Sequence, residues 1–390
     1  MRRCKMNQSP QDLTKFIKSL YPGLDPVPLH APVFAGKEKE YMLDCIDTTF
    51  VSYVGKYVTQ FEEMTARYTG VKHAVAFVNG TTALQIALQV TGVGRGDEVI
   101  TQSLTFVATA NAIAHTGAEP VFVDVDKDSL GMSPSALSKW LEENVIIDNE
   151  SKKAVNKNTH RTISGIVPMH TFGNPCRIDE IIAVADRFNI PVIEDSAESL
   201  GSTYKNQHTG TFGLVGILSY NGNKTITTGG GGMIITNDDE LAAKARHLST
   251  TAKVPHRWEF AHDEIGYNYR LNNVSASIGV AQMEMLDTYL ENKRKTATEY
   301  SNYCQENGFD LFQGLDESKT NHWLVAIILK DKTMRDEFLS YTNNNGVMTR
   351  PIWKMMNNSK MFKHCQHDGL TNSLWLEERV VNLPSGVRGI

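Results

Sequence analysis

No run of this chain reaches the roughly 18 apolar residues of a membrane-spanning helix. The start, MRRCKMNQSPQDLTKFIKSLYPGL, has a basic tip but lacks the stretch of about seven or more consecutive apolar residues that a secretory signal needs. Cysteine is sparse and scattered: Cys4, Cys45, Cys176, Cys304 and Cys365 are odd in number and contain no CxxC pair. That excludes a disulfide scaffold, gives no zinc signature, and suits free thiols in a reducing compartment. Positive charge is not in excess, with 39 Lys and Arg against 44 Asp and Glu and a net charge of −5, so nothing draws the chain generally to nucleic acid or an anionic membrane. Proline is limited to 13 residues beside 41% hydrophobic and 21% charged residues, which excludes wholesale disorder. There is no internal repeat, low-complexity tract or heptad run. The expectation is a cytoplasmic protein without a metal.

At 390 residues the chain has room for about two or three domains. From about His73 to Thr236, β-rich runs (HAVAFVNG, DEVITQ, EPVFVDVD, TISGIVPMH, IPVIEDS) alternate with helix-like stretches such as TTALQIALQVTG and RIDEIIAVADRFN. That alternation predicts an α/β layer with mostly parallel strands. The polar stretch Asp148 to Arg161 has no apolar periodicity and reads as a solvated surface excursion. Beyond about Thr250 the pattern changes to one long helix, a strand in WLVAIILK, a helix in TMRDEFLSYTNNNG and a strand in VMTRPIW, a smaller α+β unit.

Three motifs carry chemistry. NGTTAL, Asn79 to Leu84, closes a strand and opens a helix; free amides and the positive helix end make such a turn an anion site, Gly80 permits close backbone approach, and Thr81 and Thr82 add hydroxyls. VIEDSAESLG ends an apolar strand in Glu194 and Asp195, where open α/β sheets bind ligands, so Asp195 is placed to meet a protonated group. No GxGxxG follows the first strand, and GVGRGD, Gly92 to Asp97, reads as a turn, which argues against a dinucleotide fold. In ILSYNGNKTITTGGGGMIIT, Lys224 lies between two β-rich segments, five residues after Ser219 and shortly before four glycines, Gly229 to Gly232. A lysine forms Schiff bases with carbonyls, and a lysine, an anion-binding turn and a buried-type aspartate together meet the needs of pyridoxal phosphate for its aldehyde, phosphate and pyridinium nitrogen.

At these residues, and from HAPVFAGKEKEYMLDCIDT through FVSYVGKYVTQFEEMTARYTG to the terminal NLPSG, the sequence resembles the DegT/DnrJ/EryC1/StrS sugar aminotransferases, with a closer look of the LegC-like subgroup. The resemblance implies an α/β, fold-type-I, aspartate-aminotransferase-like architecture. It divides into an N-terminal helical segment (1–30), a large cofactor domain (31–255) with a mostly parallel central sheet, and a smaller C-terminal α+β domain (256–390). It implies pyridoxal 5'-phosphate, with Lys224 as the Schiff-base lysine and proton shuttle and Asp195 at the pyridine nitrogen. Gly80, Thr81, Thr82 and Ser219 would hold the phosphate, and Phe106 would stack on the ring. Glu198 stands where many relatives carry Gln or His near the 3-hydroxyl, and Gly230 stands where many have Glu in a GEGG run; both are departures. Asn268 matches a residue that reaches the phosphate of a neighbouring subunit, implying a homodimer with shared sites. Tyr53, His170, His322, Trp323, Arg350 and Trp353 fall in segments that could touch the sugar nucleotide.

The implied reaction moves an amino group from glutamate to carbon 4 of a nucleotide-linked 4-keto-6-deoxy sugar, first of all UDP-4-keto-6-deoxy-N-acetylglucosamine. The alternatives are another 3- or 4-keto dTDP- or GDP-sugar and, from another class, a non-catalytic cofactor-binding regulator. The family's dehydratase branch has histidine where the lysine belongs, and Lys224 argues against it.

Overall fold

The structure, a computed structural model, describes residues 9–390, so Cys4 and the basic tip lie outside the described residues. Helix α1 (Pro10–Leu20) is capped by Ser9, whose hydroxyl accepts from the Asp12 amide. Its apolar face of Leu13, Ile17 and Leu20 is buried against residues from the far end of the chain, among them Tyr300, Val325 and Val381.

Seven strands form the central sheet: β1 (His73–Phe77), β2 (Glu98–Gln102), β3 (Glu119–Val123), β4 (Ile163–Val167), β5 (Ile193–Asp195), β6 (Val215–Ser219) and β7 (Gly232–Thr236). The order across it is β1-β7-β6-β5 on one side and β4-β2-β3 on the other, joined by parallel bridges Ile166 to Val192 and Met169 to Asp195. Only β7 runs against its neighbours. The strands are buried along nearly their whole length, as a mostly parallel sheet covered by helices on both faces requires. Helix α2 (Gly80–Val90) follows β1, and α3 (Val107–His115) follows β2. Both therefore start at the carboxyl edge of the sheet, where their amino ends face one region.

Helix α4 (Asn273–Asn307) is the long helix read from the sequence: the Asn272 side chain accepts from the Ser275 amide at its start, and Gly308, at φ +74°, ends it. It leads into a second sheet, ordered β8 (Asp310–Leu311), β9 (Val325–Ile328), β11 (Val380–Leu383), β10 (Arg350–Pro351). Helix α1 shares this sheet's core.

The 148–161 stretch is more ordered than its polarity predicts. Its distal part, Ala154–Asn156, pairs antiparallel with Val145–Ile147, and both Ala154 and Asn156 are buried. Asn156 Nδ2 donates to Glu98 Oε2 at 2.7 Å, and Gln366 Nε2 donates to Glu98 Oε1 at 2.9 Å. A buried carboxylate has to be met by donors, and that need placed an asparagine where apolar patterning saw only a loop.

Candidate active site

The carboxyl ends of β1, β5 and β6 open into a cavity of about 660 Å³, roofed by residues of the second sheet and its loops. Strand register assembles one wall. Gly232 pairs with Phe77 on one side and with Ser219 on the other, so the turn after β1 and the end of β6 meet across a glycine. A Cβ on Gly232 would lie 2.4 Å from the Asn79 carbonyl oxygen. One member of the four-glycine run is therefore required by the close passage of two backbones. Gly80 is confined less severely: its Cβ would stand 3.0 Å from Ser219 Cβ. Asn79 caps α2, its Oδ1 accepting from the Thr82 amide at 2.9 Å. The Gly80 and Thr81 amides precede the first intrahelical bond, and both residues line the cavity beside Ser219. A positive helix end, bare amides and a serine hydroxyl make a cradle for an anion.

Opposite lies the charged floor. Asp195, buried at the end of β5, accepts from Thr109 Oγ1 at 2.7 Å and from the Ala197 amide at 3.2 Å. Burial pushes its carboxyl up from the ordinary range, while the Thr109 hydroxyl, the Ala197 amide and the Lys224 charge pull it back. Glu198, three residues on and also buried, binds Lys224 Nζ with Oε1 at 3.1 Å and accepts the Phe172 amide on Oε2 at 2.9 Å. Burial pushes Glu198 up to about 7 against the pull of Lys224 and that amide. Phe172 presents that amide in a left-handed conformation, φ +58°, ψ 18°, which costs a bulky side chain on the order of 1 kcal/mol or more. Lys224 sits in the turn between β6 and β7, with its Nζ 4.0 Å from the centre of the Trp323 ring, whose Nε1 donates to the Asn223 carbonyl at 2.6 Å. An aromatic wall continues from Trp323 through Phe172 and Trp353 to Phe106, which stands half exposed at the cavity edge.

The structure thus brings Lys224, Asp195, Glu198, Gly80, Thr81, Ser219 and Phe106 around one space. Two residues of the expected set stand apart. Thr82 is outside the lining; its amide is taken by the Asn79 side chain, and its hydroxyl donates to the Asn79 carbonyl at 3.0 Å. Asn268 is exposed, away from the cavity, bridged to Thr250. Of the remaining candidates, Trp323, Arg350 and Trp353 line the cavity, whereas Tyr53 and His322 do not. His170 is fully buried: its Nδ1 accepts the Cys176 amide, which leaves its proton on Nε2 for Glu194 Oε2 at 2.9 Å, a strut beneath β5. Sequence reasoning missed Thr109, which orients Asp195, and His30, which reaches the cavity from the segment after α1. Neither belongs to a motif; each is found only through a partner distant in sequence.

Comparison with known proteins agrees with this geometry. The model of the DegT/DnrJ/EryC1/StrS aminotransferase family matches residues 33–388. The chain belongs to this family. Among its relatives are the GDP-perosamine synthase of Escherichia coli O157:H7, 37% identical over 92% of this chain and 93% of that one, and the putative pyridoxal phosphate-dependent aminotransferase EpsN of Bacillus subtilis, 37% identical over 86% and 83%. A crystal structure of a DegT DnrJ EryC1 StrS aminotransferase from Brucella abortus superposes with a TM-score of 0.80 at 27% identity, covering 90% of each chain. The fold is that of fold-type-I pyridoxal-phosphate enzymes, and the protein is a pyridoxal-phosphate-dependent aminotransferase. Its residues fit that cofactor on their own evidence. The cradle that a Gly80 Cβ would crowd takes an anion, the buried Asp195 needs a cationic partner, and Lys224 is an amine within the same cavity.

Proposed function

We propose that this aminotransferase moves the amino group of glutamate to carbon 4 of a nucleotide-linked 4-keto-6-deoxy sugar. The observation that carries the reading is the grouping of Lys224, Asp195 and the Gly80–Ser219 cradle in one cavity. Bound pyridoxal phosphate supplies a carbonyl that exchanges with amines and a ring that takes up the electron pair left when the donor's α-proton departs. The chain's residues do the rest. Gly80 and Thr81 amides with Ser219 hold the phosphate, Asp195 keeps a proton on the pyridine nitrogen, and Phe106 covers the ring. Glu198 holds the Lys224 amine at 3.1 Å, and Lys224, once free, carries the proton to and from the α-carbon.

Two nucleotides compete for the acceptor. The LegC-like resemblance favours UDP-4-keto-6-deoxy-N-acetylglucosamine. Relatives named as GDP-perosamine synthases, 37%, 38% and 34% identical to this chain, favour a GDP-linked 4-keto sugar. Mass spectrometry of products from UDP-, GDP- and dTDP-linked 4-keto-6-deoxy sugars with glutamate decides between them, and no amino sugar from any of the three overturns the reading.

A homodimer with shared sites belongs to the same proposal. Leu43, Ile46, Phe50, Val51 and Val54 are exposed on one stretch, and Trp258, Phe260 and Ile265 are exposed on and beside the hairpin Lys253–Val254/Ala261–His262. Apolar groups of that size concentrated on a surface mark an interface, and Asn268, on the same exposed segment, would then serve the partner's phosphate. The division into residues 31–255 around the cofactor and 256–390 beyond, and a cytoplasmic location, are kept as part of this reading. Among the described residues no helix is long and apolar enough to cross a membrane.

A further inference from the structure

Lys293, on α4, is 1% exposed, yet no ion pair among the described residues includes it. Its ammonium has three hydrogens and meets three acceptors: His30 Nε2 at 3.0 Å, the Trp323 carbonyl at 3.3 Å and the Ser385 carbonyl. With Lys293 protonated its ammonium accepts nothing, so in that state His30 Nε2 is the acceptor and the imidazole proton sits on Nδ1. That Nδ1 is enclosed and has no partner, although His30 lines the cavity. The pair stands on the Lys224 side: Trp323, whose carbonyl Lys293 holds, carries Lys224 over its ring, and His30 is near enough to feel the Lys224 charge.

We propose that His30, backed by Lys293, binds a carboxylate of the amino donor through Nδ1–H. Three observations meet in this assignment: a buried cation lacking a counter-charge, a donor lacking an acceptor, and a place beside the amine that exchanges with the donor's nitrogen. The other cations of the cavity are less suited. Lys224 is already met by Glu198, Arg350 is exposed and bound to Asn343 Oδ1 and the Thr349 carbonyl, and Lys354 is exposed at the rim. Burial lowers the Lys293 ammonium to about 7, the mark of a charge without an anion, and a bound carboxylate would supply one. The inference rests on the reading of glutamate as donor.

The test is equilibrium binding to the cofactor-loaded protein of glutarate, a dicarboxylate with no amino group to react, and separately of GDP and UDP. His30→Phe is expected to weaken glutarate at least about tenfold, the scale of one hydrogen bond to a charged group, and to leave the nucleotides within about twofold. His30→Gln keeps an acceptor for Lys293 and a donor beyond it, and is expected to recover most of the loss. Lys293→Met should reproduce His30→Phe and decides the matter if that variant does not fold. Glutarate bound equally by wild type and His30→Phe overturns the inference alone, as does a loss that falls on the nucleotides instead of glutarate or on both alike. Failure of the wild type to bind glutarate overturns the donor reading and the inference with it.

Discussion

Glu198 Oε1 lies 3.1 Å from Lys224 Nζ, while Oε2 of the same carboxylate takes the amide of Phe172. The lysine is thus held by a group that is itself fixed, and that group is buried. Between its ordinary value of 4.5 and about 7 the folded protein keeps a proton on Glu198 that the unfolded chain has released. Stability therefore falls as pH rises through that window, and above about 7 the cost of burying the charge is fully felt. Glu198→Gln keeps the shape and removes the titration. Urea unfolding midpoints at pH 5 and pH 7.5 should differ less in the variant than in the wild type; an equal difference would show that Glu198 does not titrate there.

Asp195 is fixed by Thr109 and by the Ala197 amide, so Asp195→Asn changes charge more than shape. The visible absorbance of bound cofactor should persist, because Lys224 is intact. Amino transfer should fall by about a hundredfold to a thousandfold, the scale for losing one preorganised electrostatic partner. Loss of the absorbance together with activity would make Asp195 a folding residue only.

Gly80 is where the cradle's helix end approaches Ser219 most closely, a Cβ there standing 3.0 Å from Ser219 Cβ. Gly80→Val pushes a side chain toward Ser219 and should weaken pyridoxal phosphate binding to the apoprotein at least about tenfold, as for a lost hydrogen bond to a charged group. Pyridoxal, which has no phosphate, should bind the variant as it binds the wild type. Absorbance titration with both compounds separates a phosphate defect from a general one.

Trp258 is 70% and Phe260 80% exposed. The double variant Trp258→Asp, Phe260→Asp should remain folded by circular dichroism and run as a monomer in light scattering, with activity reduced if Asn268 serves the partner. A dimer of unchanged stability would place the interface elsewhere.

Much of this was legible in the sequence because it obeys local rules. The β-rich runs from His73 to Thr236 became strands, and the Asn79 turn, Asp195 and Lys224 fell at strand ends where ligands bind. The illegible parts depend on contacts between distant positions. Asn156 is buried because Glu98 needs a donor, Phe172 is left-handed where its amide meets Glu198, and His30 matters through Lys293, which lies 263 residues away. Thr82 misled for the opposite reason: its hydroxyl and amide look free in NGTTAL, but the Asn79 cap takes both. Hydrophobic period and turn chemistry record what a residue does for its own segment, and the partners of Asn156, Phe172 and His30 lie outside theirs.

The central claim is that Lys224 and its neighbours run glutamate-driven amino transfer, and the first half of the reaction tests it without the acceptor sugar. Purified protein should be yellow with bound cofactor. Adding glutamate alone should bleach that colour to the amino form of the cofactor and release about one 2-oxoglutarate per site, as a two-step exchange requires. Lys224→Ala should lack the starting absorbance and release none. A wild type whose colour glutamate leaves unchanged, or a Lys224→Ala protein that behaves as the wild type does, would contradict the account.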